Sequence, residues 1–120
     1  MKTIEIANAE GPVLNWLVAK ALHPGRDANW ITAFVNAGVD EGYRPFAPSA
    51  DPAQGHQLIE DHIHTLIRRN DAWYAECQSE DKGSFCYCLK GPTALIASMR
   101  AFVTARTNGP TARVPQELAT

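Results

Sequence analysis

The chain is short of the features that make many functions readable. It has 3 cysteines in 120 residues, Cys77, Cys86 and Cys88. An odd number cannot all pair within one chain, and without a secretion leader this favours reduced thiols over a disulfide framework. The opening Met1-Lys2-Thr3-Ile4-Glu5-Ile6 lacks the charged-then-apolar order of such a leader. No apolar run approaches the roughly 18 residues of a membrane span, so a cytoplasmic location is expected. Positive charge is scarce too: the net charge is −2, and lysines and arginines are scattered from Lys2 to Arg113. Binding along a phosphate backbone needs a dense basic surface, so nucleic acid is an unlikely partner on this count. Neither a nucleophile elbow nor a glycine-rich helix start is present, which disfavours covalent catalysis. There is no internal repeat and no low-complexity segment.

What is present is an ordinary globular composition, with 45% apolar and 20% charged residues. That balance is far from a disordered tail, and a chain of this length buries roughly two-thirds of its unfolded surface in one core. One domain, residues 1–120, is expected, with no cofactor needed to hold it together.

Residues Thr3 to Ile6 read as a short extended segment. A helix over about 12–22 follows, because Pro12 suits a first helical turn and Val13, Leu14, Leu17, Val18 and Ala21 recur at helical spacing. Asn15 and Lys20 read as interrupting that stripe on the other side, Trp16 as flanking it, and Pro24-Gly25 as its stop. Trp30 to Val35 reads equally as a strand or a short helical turn. Gly38, Gly42, Pro45, Pro48 and Pro52 then punctuate a long loop, about 36–52. Leu58, Ile59, Ile63, Leu66 and Ile67 fit one continuous helix, while 63–67 also suits a strand; the turn at Arg69-Asn70-Asp71 favours a helix over about 53–61 followed by strands at about 63–68, 72–77 and 84–89. In the last strand Phe85, Tyr87 and Leu89 alternate with Ser84, Cys86 and Cys88, so the aromatic face is expected under the helices. Thr93 caps a final helix over about 93–107 carrying Leu95, Ile96, Met99, Phe102 and Val103, and 110–120 forms a docked tail. The expected fold is α+β: a small antiparallel sheet of about three strands in a meander, packed against two or three helices.

Side chains that could carry chemistry are few, and each has a structural reading beside it. His62 and His64, with Glu60 or Asp61, offer imidazole and carboxylate ligands for a metal, or two half-exposed histidines at a helix-to-strand junction. Cys86 and Cys88 share a strand face and Cys77 is placed across from them; buried thiols fit that spacing better than zinc. Gly91-Pro92-Thr93 has the look of an anion site at a helix start, although Pro92 removes one donor and capping alone accounts for it. Ser49, Asp51, Gln54 and His56 gather where a helix begins, and helix capping competes there with recognition. Tyr43, Phe46 and Trp73 are the aromatic candidates for a ligand pocket. Arg100 lies off the apolar stripe, where it pairs with Glu60 or Asp61, faces a partner, or stays solvated.

A resemblance enters through several segments in order: Leu14-Asn15-Trp16-Leu17-Val18-Ala19-Lys20; Pro48-Ser49-Ala50-Asp51-Pro52-Ala53-Gln54-Gly55 with Leu58-Ile59-Glu60; Trp73-Tyr74-Ala75; Gly91 to Val103; and Val114-Pro115-Gln116-Glu117-Leu118. Together they cover most of the chain, which resembles the NinX-like family of small proteins from tailed bacteriophages and prophages. The chain departs from that pattern at Pro52, where the family has an aromatic residue, and at His56, where it has glycine. The resemblance implies an accessory protein acting in the bacterial cytoplasm, and it brings no catalytic residues with it.

The leading functional expectation is therefore a non-enzymatic module that binds a host or phage protein, with a homodimer through the second sheet face as one form of it. A small-ligand binding or sequestering protein is the alternative, using Tyr43, Phe46 and Trp73. A metal-dependent hydrolase built on His62 and His64 comes third. No cofactor is called for.

Overall fold

The structure is a computed structural model that describes residues 1–37, 45–79 and 85–118. Strand β1 (Lys2–Glu5) leads through a 3-10 turn to helices α1 (Gly11–Leu22), α2 (Ala28–Ala37) and α3 (Pro52–His62). Strands β2 (Ile63–Arg69), β3 (Ala72–Gln78) and β4 (Cys86–Gly91) follow, then helix α4 (Ala94–Thr107) and strand β5 (Thr111–Val114). β2, β3 and β4 form an antiparallel meander, and β1 pairs with β5 in a separate two-stranded sheet. The fold is α+β, with helices packed on a small antiparallel sheet.

Helix α4 is the centre. Its residues Ala97 to Ala105 are all buried, nine in succession, so it is covered on every side rather than along one stripe. It packs on all three strands of the meander and on α1 and α3. Thr93 starts it by accepting the Ile96 amide at 3.1 Å, and Asn108, left-handed at φ 54°, ends it. The Ser98 hydroxyl is fully buried and finds no hydrogen-bond partner among the described residues.

Two close approaches set how tightly the elements dock. A side-chain carbon on Gly91 would sit 2.6 Å from the Ala97 amide nitrogen, and one on Gly55 would sit 2.5 Å from the Pro48 carbonyl oxygen. Glycine is therefore required where β4 meets α4 and where α3 meets the loop before it.

Several expectations need correction. Trp30 to Val35 lies inside α2, where Asp27 accepts the Trp30 amide at 2.8 Å and starts the helix. The aromatic stack of Trp30 on Phe34, centroids 5.4 Å apart, fits helical i,i+4 spacing. Asn15 and Trp16 belong to the core: Trp16 is 2% exposed and donates to the Thr32 hydroxyl at 3.0 Å, joining α1 to α2. The Asn15 carboxamide oxygen accepts both the amide and the hydroxyl of Ser49. Phe85 is not under the helices but 67% exposed, just before β4. The start of the tail is a strand, since β5 pairs with β1 from Lys2↔Val114 to Glu5↔Thr111. Tyr43 and Ser84, with half of the loop after α2, lie outside the described residues.

Replacing Ser98 by alanine removes a buried hydroxyl that makes no bond and should raise stability by about 1 kcal/mol, because its desolvation cost disappears. Gly55→Ala should lower stability by roughly 1–3 kcal/mol through overpacking against a backbone carbonyl. Urea unfolding midpoints at constant slope measure both.

Candidate functional site

The recognition loop expected around the start of α3 is mostly occupied by its own architecture. Asp51 accepts the Ala53 amide at 3.0 Å as the helix cap. Gln54 accepts the Ala47 amide at 2.6 Å and donates to the Pro45 carbonyl and to Asp51. Ser49 is buried against Asn15, and Phe46, 8% exposed, packs on Phe34. His56 faces solvent and pairs with Glu60 at 3.1 Å. Trp73 lies on the covered face of the sheet, half-buried beside the core and well separated in the chain from this loop.

The metal candidates are not gathered as a ligand set. Glu60 is taken by His56, Asp61 accepts the Gln57 carboxamide at 2.9 Å, the His62 ring lies on Phe102 at 4.7 Å, and His64 Nδ1 pairs with its neighbour Thr65. Asp61, His62 and His64 line an open cleft with Arg106, but among the described residues no three ligating groups are placed to hold an ion.

The strand register separates the cysteines. Cys77 pairs with Tyr87 and is buried on the helix side, whereas Cys88 pairs with Glu76 and Cys86 with Gln78 on the opposite face, where both are exposed, so the expectation of buried thiols holds for Cys77 and is corrected for the other two. Residues paired across antiparallel strands share a face, so the placement of Cys77 across from the other two is corrected, and a shared thiolate site with it. The Cys86 thiol donates to Glu76 at 3.4 Å. Desolvation, then the Glu76 carboxylate, pushes both the Cys86 and Cys88 thiols up from their ordinary range, with Arg69 partly opposing this at Cys88.

Arg100 overturns its surface reading most clearly. It is 8% exposed, and it meets neither Glu60 nor Asp61. Nε donates to the Ala9 carbonyl at 2.7 Å and Nη1 to the Lys90 carbonyl at 2.8 Å, while Nη2 stands 4.0 Å from the Glu10 carboxylate. One guanidinium thus ties α4 to the segment before α1 and to the end of β4. Its burial lowers the Arg100 pKa and Glu10 opposes that shift.

Arg100 also lines a groove of about 670 Å³ beside the β2–β3 turn. Arg69, Lys90 and Arg100 supply its positive charge, Asp71 the opposing charge, and Asn70 and Tyr74 further polar groups. Asn70 holds the turn at φ 54°, a conformation asparagine tolerates, and the two-residue turn sets Arg69 and Asp71 at the groove's lip. Tyr74 is paired across the sheet with Lys90. Sequence reading found Arg100 and the nearby Gly91-Pro92-Thr93 but not Arg69 or Lys90, which become neighbours only through strand pairing. A second cavity, about 520 Å³ and mostly apolar, lies against α1, α4 and β5, with Trp16, Leu17, Ala21 and Val103 in its wall. Phe46 and Trp73 line neither cavity.

A family model described as "Bacteriophage P22, NinX" matches residues 5–106. The chain belongs to that family. The NinX match takes in the groove residues Arg69, Tyr74, Lys90 and Arg100 and stops before β5. Among curated proteins no match is found. No helix of the described residues is long and apolar enough to cross a membrane.

At pH 7.5, iodoacetamide should alkylate Cys86 and Cys88 more slowly than free cysteine, because a raised thiol pKa lowers the thiolate fraction. Glu76→Gln removes the carboxylate that helps raise it, so the rate should climb several-fold; peptide mass spectrometry resolves each site. An unchanged rate would show that desolvation alone protects them.

Proposed function

We propose that this phage accessory protein works by binding rather than by catalysis, taking a protein partner on the outer face of the β2–β3–β4 sheet. The observation that carries this reading is the sheet's asymmetry. Its inner face, with Ala75, Cys77 and Gly91, is buried under α4. Its outer face carries Thr65, Ile67, Tyr74, Glu76, Cys88 and Lys90, none of them buried. Ile67 is 41% exposed and lies across from Tyr74, an apolar and aromatic pair flanked by Arg69, Glu76 and Lys90. An apolar centre with a mixed-charge rim is the pattern of a protein interface, and opposite charges along the rim set orientation. The edges of β2 and β4 offer unpaired backbone groups beside it.

A small-ligand reading is favoured by the apolar cavity at Trp16 and Val103, whose volume of about 520 Å³ suits a compact ligand. Native mass spectrometry of gently purified protein separates the two: a reproducible added mass supports a retained ligand, and a bare chain leaves the partner reading ahead.

Tagged protein captured from phage-infected cells should retain a protein partner in the native form and in a Gln57→Ala control on α3. Ile67→Asp, which places charge at the centre of the face, should lose that partner by about ten-fold or more while keeping the same circular dichroism. Equal capture by the folded Ile67→Asp protein would overturn the outer face as the interface.

A further inference from the structure

We infer that the groove beside the β2–β3 turn is an anion site for a phosphate-bearing small molecule, held by Arg69, Lys90 and Arg100. This goes beyond the partner reading and does not depend on it. The groove wall holds three cationic side chains against one carboxylate, Asp71, in a chain whose overall charge is negative. A local excess of that sign inside a concave site favours an anionic occupant, because partly excluded water screens the charges less than at an open surface.

Arg100 makes the site more than a basic patch. The carbonyls of Ala9 and Lys90 fix its Nε and Nη1, so the guanidinium is set in place before any ligand arrives. Its nearest carboxylate is at 4.0 Å on Glu10, whose side chain is 68% exposed, a long and solvent-facing pairing for a cation whose own side chain is 9% exposed. A buried cation is costly unless compensated, and the two carbonyls supply only partial charge. A phosphate at the groove floor completes the compensation, and arginine's planar donors suit phosphate oxygens. Lys90 and Arg69, both exposed, line the same groove from the sheet, and in the proposed site they complete the anion's coordination. Tyr74 stands across from Lys90 and offers a hydroxyl and a ring to the rest of the molecule.

The start of α4 does not carry this assignment, since Thr93 already caps the Ile96 amide. Size and charge point to a small molecule. A volume of about 670 Å³ falls in the range of ligand pockets, and three cations gathered in one cleft do not form the track that a nucleic-acid backbone follows.

The test is calorimetric titration of the full chain with pyrophosphate at low ionic strength, with matched sodium chloride as the blank. Saturable 1:1 binding is expected. Arg69→Gln and Lys90→Gln, both at exposed positions, should each weaken it by about ten-fold, whereas Lys2→Gln, the same charge change at an exposed position that lines neither cavity, should leave it within about two-fold. Arg100→Lys should weaken it as well, but the two exposed variants decide the matter if that protein folds poorly. No saturable binding, or equal losses from all three glutamine variants, would overturn the site. Tighter binding of a single-stranded oligonucleotide than of pyrophosphate, with the same dependence on Arg69 and Lys90, would overturn the small-molecule assignment. Partner capture is scored on Ile67 and pyrophosphate binding on Arg69 and Lys90, so either proposal can fail alone.

Discussion

A helix buried on every side has no solvent to receive its polar groups, and α4 is such a helix. Thr104 turns its hydroxyl back to the Arg100 carbonyl at 2.8 Å, Ser98 leaves its own unbonded among the described residues, and Arg100 sends its guanidinium to two carbonyls of other segments. The last of these is what the surrounding structure depends on. The segment before α1 and the end of β4 are both positioned against α4 by one side chain, and glycine at position 91 allows the strand to come that close. The core around α4 is apolar, with each large side chain such as Phe102 or Met99 contributing roughly 1.5–3 kcal/mol. Arg100 decides which backbone lies where.

The two faces of the meander differ in burial. The inner face is core. The outer face has an apolar pair at Ile67 and Tyr74 and runs, at the turn end, into the groove that Arg100 underlies. On the proposed reading, structural and recognition roles meet at a single arginine, which ties the core helix together and also lines the groove.

Much of the fold is legible in the sequence, and the misses have physical causes. Pro12, Asp51-Pro52 and Thr93 mark helix starts because each solves the local problem of unpaired amides. The hairpin at Asn70-Asp71 is legible because few residues tolerate its backbone. Helix α2 is harder: Trp30, Ile31, Thr32, Phe34 and Val35 are strand-prone types, and stacking of Trp30 on Phe34 with the Asp27 cap overrides that preference. Burial of Asn15 and Arg100 is invisible to periodicity, because their partners Ser49 and Ala9 are 34 and 91 residues away. The groove is only half legible for the same reason. Lys90 and Tyr74 look unrelated until β3 and β4 are laid side by side.

The pairing of β1 with β5 closes the structure in another sense. Lys2 lies across from Val114, so segments more than a hundred positions apart form one short ribbon. A two-stranded ribbon is barely stable by itself, and the entropy of joining such distant segments opposes it. It therefore stands only when the core between is already assembled, like a clasp on a folded case.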